Sequence, residues 1–315
     1  MRLWFLGTGA GRPAKQRNVT AAALQLPEPS CGWWLFDAGE ATQHKLMELP
    51  LKLSKLEAVF ITHLHGDHLY GLPGLLSTRS FEGGVTPLHL YGPIGIKHYI
   101  TTIFSISGTM LDYELIIHEL DEQAQAGKVV IMNTEQFTVE AAWLVHRLPC
   151  LGFRVIEHDR PGKLLAHRLK ELGVEEGPLY GQIKRGLSIT LASGEIIKPT
   201  DVMSSPKKGR IVTVLGDTSP CDNAKELAKN ADLLVHEATF EAGLDEKALA
   251  FGHSTTVQAA VIARDAAVKR LVLTHFSSRY SNDELQQLVD ETSAYHTNVT
   301  AALDLMAIDI DRAVE

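Results

Sequence analysis

Short apolar runs separated by turn formers dominate the first third of the chain. Residues 2–6, 21–26 and 34–37 have the length and composition of strands, and residues 41–49 space their apolar positions as a helix does. A further strand, 58–62, runs straight into a histidine-rich loop, and a short helix at 72–80 follows it. Strand patterns recur at 88–91, 128–132 and 137–146, with a helix over 94–104 between the first two. At Glu157 the pattern breaks. His158-Asp159-Arg160-Pro161-Gly162 opens a polar segment with one helical stretch, 164–172, and then Gly173 and Gly177-Pro178, so residues 157–185 are expected to leave the core. Beyond it, 211–215 and 233–236 read as buried strands, 255–267 and 282–291 as amphipathic helices, and 270–274 as a strand ending on His275. Both halves put apolar strands, covered by helices, behind loops that carry His or Asp. The expectation is an α/β chain, one domain over 1–315, in which two similar layers meet at a shared edge.

The 315 residues, 45% hydrophobic, suffice for a large core. No run of about 18 residues is apolar enough to span a bilayer, and the first strand begins with no cleavage-site pattern before it, so a cytoplasmic protein is expected. Three cysteines, Cys31, Cys150 and Cys221, lack the C-x-x-C spacing of thiolate metal sites and redox pairs. The net charge of −8 argues against general attraction to a polyanion, so a nucleic-acid partner would have to meet a local basic surface.

Such chemistry as the chain displays is concentrated in His63-Leu64-His65-Gly66-Asp67-His68. On an extended backbone His63 and His65 share a face, and a turn at Gly66 would swing Asp67 and His68 toward a second position, so one loop could feed two metals. Imidazole and carboxylate without thiolate favour zinc, with manganese or iron as substitutes, and a catalytic site over a closed structural one. Further ligands have to come from elsewhere. His146, Asp217 and His275 each follow an apolar strand and are the candidates, with His118, His158 and His167 competing for the place of His146.

The His-x-His-x-Asp-His run resembles that of the metallo-β-lactamase superfamily. Phe5-Leu6-Gly7-Thr8-Gly9-Ala10-Gly11, Pro13-Ala14-Lys15-Gln16-Arg17-Asn18, Phe36-Asp37-Ala38-Gly39-Glu40, Gly216-Asp217-Thr218, His236-Glu237-Ala238-Thr239 and His253-Ser254-Thr255 are similar to segments of its ribonuclease Z branch, the tRNA 3′-processing endonucleases. The resemblance implies a four-layer αββα sandwich with two zinc ions. His63, His65 and His146 would hold one, Asp67, His68 and His275 the other, and Asp217 would bridge them. It further implies a homodimer and a flexible RNA-binding arm, marked here by Gly177-Pro178 within 157–185, where Arg160, Lys163, Arg168, Lys170, Lys184 and Arg185 face four acidic residues. Lys15, Arg17 and Asn18 match the family's loop near the tRNA 3′ end.

A phosphodiester repels anionic nucleophiles, so its hydrolysis needs charge neutralisation and available hydroxide, which two zinc ions supply. Asp67 would orient and deprotonate the water. His253, steadied by Glu237, would protonate the departing 3′-oxygen, unless the pair merely caps local turns. The expected function is removal of the 3′ trailer from precursor tRNA, leaving a 3′-hydroxyl and a 5′-phosphate trailer. A hydrolase of small esters, lactones or sulfates and a non-catalytic RNA-binding scaffold are the alternatives.

Overall fold

The computed structural model describes residues 1–123, 127–191 and 193–312; residues 124–126, 192 and 313–315 lie outside it. Its chain divides into two compact units, Met1–Ile156 with Ile211–Asp311, and Glu157–Arg210 with the segment that starts at Arg312.

In the first unit, β1 (Arg2–Gly7), β2 (Ala21–Gln25), β3 (Trp33–Phe36), β4 (Leu56–Phe60), β5 (Leu88–Pro93) and β6 (Leu115–Leu120) belong to one sheet. A second sheet holds β7 (Val129–Asn133), β8 (Phe137–Leu144) and β9 (Cys150–Glu157). The inserted unit carries the small hairpin of β10 (Ile189–Thr190) and β11 (Ile196–Ile197). The second sheet resumes with β12 (Ile211–Leu215), β13 (Leu233–Glu237), β14 (Leu271–Thr274) and β15 (Val299–Ala301), and β16 (Ala307–Asp309) returns to the first. The orders are β16-β1-β2-β3-β4-β5-β6 and β15-β14-β13-β12-β9-β8-β7, seven strands each. Each sheet contains one run of four parallel strands, β3 to β6 and β12 to β15.

Alternation within the strands explains the layering, because successive side chains point to opposite faces. Phe36, Phe60 and Tyr91 stack along the inner face of the first sheet and meet Phe153 of the second, with Phe60 and Phe153 ring centres 5.3 Å apart. Trp34 meets Phe137 at 5.3 Å. On the outer faces, Leu35, Val59 and Leu90 pack under helices Leu72–Phe81 and Ile96–Ser107, while Leu234 and Leu273 pack under Asp222–Ala228 and Thr256–Asp265. Two apolar faces per sheet demand two covering layers, and the helices supply the outer ones: an αββα sandwich.

β9 escapes a reading by pattern because Gly152 and Arg154 interrupt its apolar run. Arg154 nonetheless sits buried in mid-sheet, its Nη1 donating to the carbonyls of Leu227 and Lys229 at 2.6 and 2.7 Å, where the helix Asp222–Ala228 needs partners for its last C=O groups.

The excursion expected at 157–185 begins at Glu157 but continues to Arg210. It is a folded unit with helices Ala166–Glu171, Pro178–Lys184 and Pro199–Val202 around Leu169, Val174, Ile183, Ile189, Ile197 and Val202. Gly177-Pro178 is the start of the second helix, with Pro at the position where a missing N–H costs nothing. The boundary moves because the apolar residues that complete this small core lie beyond residue 185.

At the unit's first residue, Glu157 accepts from Arg210 Nε at 2.6 Å and Nη2 at 3.0 Å, and from Arg312. Burial alone would raise the Glu157 pKa, but these two guanidiniums outweigh it and bring it down to about 2. A depressed carboxyl stabilises the fold above its ordinary pKa near 4.5 and loses that contribution as pH falls toward 2, here on the order of 3 kcal/mol. The hydrogen-exchange protection factors of residues 157–210, taken against the intrinsic rate at each pH, should therefore fall between pH 4.5 and 3, and Glu157→Gln should flatten that profile; an unchanged profile in the variant would remove the assignment.

Candidate metal centre

Open α/β sheets leave room for ligands at the carboxyl ends of their parallel strands. This chain puts its polar residues there. Asp37 follows β3, Thr62 and His63 follow β4 after Ile61, Asp217 follows β12, Glu237 ends β13 and His275 follows β14, while His146 comes just past β8. Asp37 and His275 both sit in the left-handed region, with φ of 58° and 55°, a strained backbone that favours function over propensity. Gly216 allows the approach: a Cβ there would lie 2.5 Å from Cys150 Sγ and 2.6 Å from Thr62 Cβ. Only glycine lets the end of β12 come close enough to set Asp217 among the histidines.

Ligand atoms of His63, His65, His146 and Asp217 lie within 4.8 Å of one another, and so do those of Asp67, His68 and His275. His65 Nδ1 is 2.9 Å from His63 Nε2 and 3.2 Å from His146 Nε2. In the other group, His275 Nε2 is 3.2 Å from His68 Nε2 and 3.3 Å from Asp67 Oδ2. Asp217 Oδ2 reaches both groups, at 3.7 Å from His63 Nε2, 3.5 Å from His68 Nε2 and 3.3 Å from His275 Nε2. Tetrahedral bonds of about 2.0–2.1 Å to zinc imply ligand-to-ligand edges of roughly 3.3 Å. The residues present fit two such ions sharing one carboxylate. Of the rivals to His146, His118 pairs with His89 at 3.0 Å and stacks on Tyr91, and His158 and His167 belong to the second unit.

The hydrogen bonds behind the ligands fix which ring nitrogen faces inward. Asp37 Oδ2 takes the Nδ1–H of His68 at 2.7 Å and the Thr62 hydroxyl at 2.9 Å; having donated its proton, Thr62 Oγ1 accepts from His63 Nδ1–H at 3.0 Å. Glu237 repeats the device. Its Oε1 takes the Nδ1–H of His253 at 2.8 Å, its Oε2 takes the Thr239 hydroxyl at 2.7 Å, and Thr239 Oγ1 accepts from His275 Nδ1–H at 2.9 Å. His146 donates its Nδ1–H to the carbonyl of Gly252 at 2.7 Å. One buried carboxylate per sheet thus orients two imidazoles, one directly and one through a threonine, and leaves the Nε2 of His63, His68 and His275 free to bind.

Electrostatics points the same way. Burial holds the His63, His65 and His146 pKa values below the ordinary imidazole value, so their lone pairs are available. Asp217 is fully buried, which would raise its pKa, yet His275 and His68 pull it well below the usual carboxylate range. Asp67 is lowered despite burial, chiefly by His275, whose Nε2 lies 3.3 Å from its Oδ2. His68 departs from the first three: burial would lower its pKa, but Asp217 and Asp37 raise it well above the ordinary value, and carboxylates this strongly ionised among imidazoles call for a cation. His253 differs: burial would lower its pKa, but Glu237 outweighs it and raises it to about 9, so His253 is protonated at neutral pH. The local helix cap belongs to Thr255, whose hydroxyl accepts from Gln258 N–H, and not to His253 or Glu237.

His65, Asp67, Asp217, His253 and His275 open on one cavity of about 270 Å³. Of the residues expected to touch substrate, Lys15 is exposed, but Arg17 and Asn18 are buried. Arg17 donates to Asn282 Oδ1 at 2.8 Å and to the Tyr280 carbonyl at 2.7 Å, and Asn18 Nδ2 donates to the Glu40 carbonyl at 2.8 Å. These bonds hold the loop in place. Gly177 and Pro178 are exposed. Asp37, Thr62 and Thr239 went unread as functional residues; Asp37 had the same strand-end signal as His275, whereas nothing in sequence marks the threonines.

Residues 1–142 match a family model described as Anti-Pycsar protein Apyc1, a stretch that stops before His146 and so contains four of the seven clustered residues. The whole chain is similar to ribonuclease Z of Anoxybacillus flavithermus, 50% identical over 312 residues, covering 99% of this chain and 98% of that one. Ribonuclease Z of Listeria monocytogenes is 47% identical over 98% of this chain and 99% of its own. Among solved structures, human tRNase Z, short form, is similar at a TM-score of 0.72 and 33% identity, over 99% of this chain and 100% of that one.

Proposed function

Because the chain belongs to the ribonuclease Z family, we propose that this cavity removes the 3′ trailer from precursor tRNA by zinc-dependent hydrolysis. The observation that carries the reading is His253, its Nδ1 held 2.8 Å from Glu237 Oε1 at the rim of the cavity that residues of both ligand groups line. It supplies an acid for an alkoxide leaving group beside a site suited to two cations.

Two zinc ions held there, or manganese or iron in their place, would make hydroxide available at neutral pH and offset the charge of the phosphate. Asp67, its Oδ2 fixed by the Gly11 N–H at 2.7 Å, orients the attacking water and takes its proton. As the P–O3′ bond breaks, His253 passes its proton to the ribose 3′-oxygen, and Glu237 keeps the imidazole aligned throughout. Since water attacks phosphorus and the 2′-hydroxyl takes no part, the products are a 3′-hydroxyl tRNA and a 5′-phosphate trailer.

The unit 157–210 serves in this reading as the arm that grips the tRNA body, with Lys163, Arg168, Lys184 and Arg185 exposed on it to meet phosphates and Gly177-Pro178 opening its middle helix. Lys15 contributes a phosphate contact nearer the 3′ end. The chain works as a homodimer: Tyr70, Phe81, Ile106 and Met110, on or just beyond helices of the first sheet, are exposed apolar side chains that a second copy would cover. Sedimentation at the mass of one 34.6 kDa chain would remove that part. No helix among the described residues is long and apolar enough to cross a membrane, and a tRNA-processing role suits the cytoplasm.

Incubation with a precursor tRNA should yield one cut with the stated ends, abolished by chelator and restored by zinc. A 2′,3′-cyclic phosphate end would overturn the scheme.

A further inference from the structure

The cavity also presents an aromatic ring that the hydrolytic residues do not use. Phe251 ends the helix Asp245–Phe251 and lines the cavity together with His253, yet remains 44% exposed. A single half-exposed phenylalanine is ordinary; its surroundings are not. Arg147 lies over the ring, 4.6 Å from its centre, and is pinned there by a 2.7 Å hydrogen bond to the Ala250 carbonyl. Phe240 stands 6.2 Å from Phe251 and 6.2 Å from His253, with Arg279 5.8 Å over its own ring. Two rings and two guanidiniums therefore share one rim.

That rim is held in register with the hydrolytic centre. Gly252 follows Phe251 with φ of 75°, a turn that favours glycine, and its carbonyl receives the Nδ1–H of His146. His253 comes next in the chain. Any displacement of Phe251 is thereby passed to a candidate ligand and to the acid, which fixes the ring's distance from the reacting bond.

Resting on the ribonuclease reading, we propose that Phe251 is the stacking platform for one nucleobase, that of the last nucleotide retained by the mature tRNA. Arg147 backs the ring and Arg279 meets the neighbouring phosphate. His253 decides the side of the cut. It protonates the 3′-oxygen of this nucleotide, so the nucleotide 5′ to the scissile phosphate is the one that lies against the rim His253 shares with Phe251. Every base has a π face, so the platform positions the chain without choosing a sequence.

The test compares wild type, Phe251→Ala and Phe251→Tyr on two precursor tRNAs that differ only in an abasic residue at that position. On the intact substrate the alanine variant should lose roughly 5- to 150-fold in kcat/KM, the range for one stacked base, and the tyrosine variant should retain activity. On the abasic substrate wild type and Phe251→Ala should agree within about twofold. Equal loss on both substrates, as a general folding or metal defect would give, overturns the proposal, and so does no loss on the intact one. Wild type that cuts neither substrate would instead sink the ribonuclease reading.

Discussion

Replacing Asp217 by asparagine should leave a folded protein that retains less metal and cleaves precursor tRNA about 10²- to 10³-fold more slowly, the scale of losing one preorganised electrostatic group. Asparagine keeps the shape of the buried side chain but not its charge. Three inward imidazole nitrogens stand 3.3 to 3.7 Å from Asp217 Oδ2, so this carboxylate reaches both ligand groups. An amide offers one neutral oxygen where two cations would share an ionised one. Metal analysis after dialysis, with circular dichroism to report the fold, measures the effect. Full metal content with near wild-type turnover would show that Asp217 does not join the two groups.

The second large effect belongs to a residue that should hold no metal. His253→Ala should slow turnover about 10²- to 10⁴-fold, the usual contribution of a positioned acid, with metal content and RNA affinity close to wild type. The separation follows from geometry: His253 spends Nδ1 on Glu237, while His146 and His275 keep their own carbonyl and threonine partners. A substrate whose departing 3′-oxygen is replaced by sulfur supplies a leaving group that needs no proton, and it should narrow the deficit of the variant. If the variant loses zinc, or the sulfur substrate shows the same deficit, His253 is a ligand or a scaffold residue and not the acid.

Local pattern carried far in the body of the chain. Strands β1 to β5 and the helices over them are legible because each buries a face, so apolar residues recur at the period of the element. The edge strands β6, β15 and β16 are not, since at most one residue in each is buried and the rest read as loop. The extent of the inserted unit escapes the pattern for a related reason. Its core is six side chains drawn from six separate short segments, too sparse for any periodicity.

The sequence by itself determined the metal-binding run, because His63, His65, Asp67 and His68 follow a strand within six residues and need only local geometry to converge. It also determined the strand-end character of His146, Asp217 and His275. The tertiary structure alone decided that these three meet the run, across 81 to 208 positions of chain, by bringing the ends of strands from both sheets together. It likewise decided that Asp37 and Glu237 reach His63 and His275 through Thr62 and Thr239, and that the Arg17 and Asn18 side chains turn inward to Tyr280, Asn282 and Glu40. A residue type states what a side chain can do; burial and the partner within 3 Å state which of those things it does.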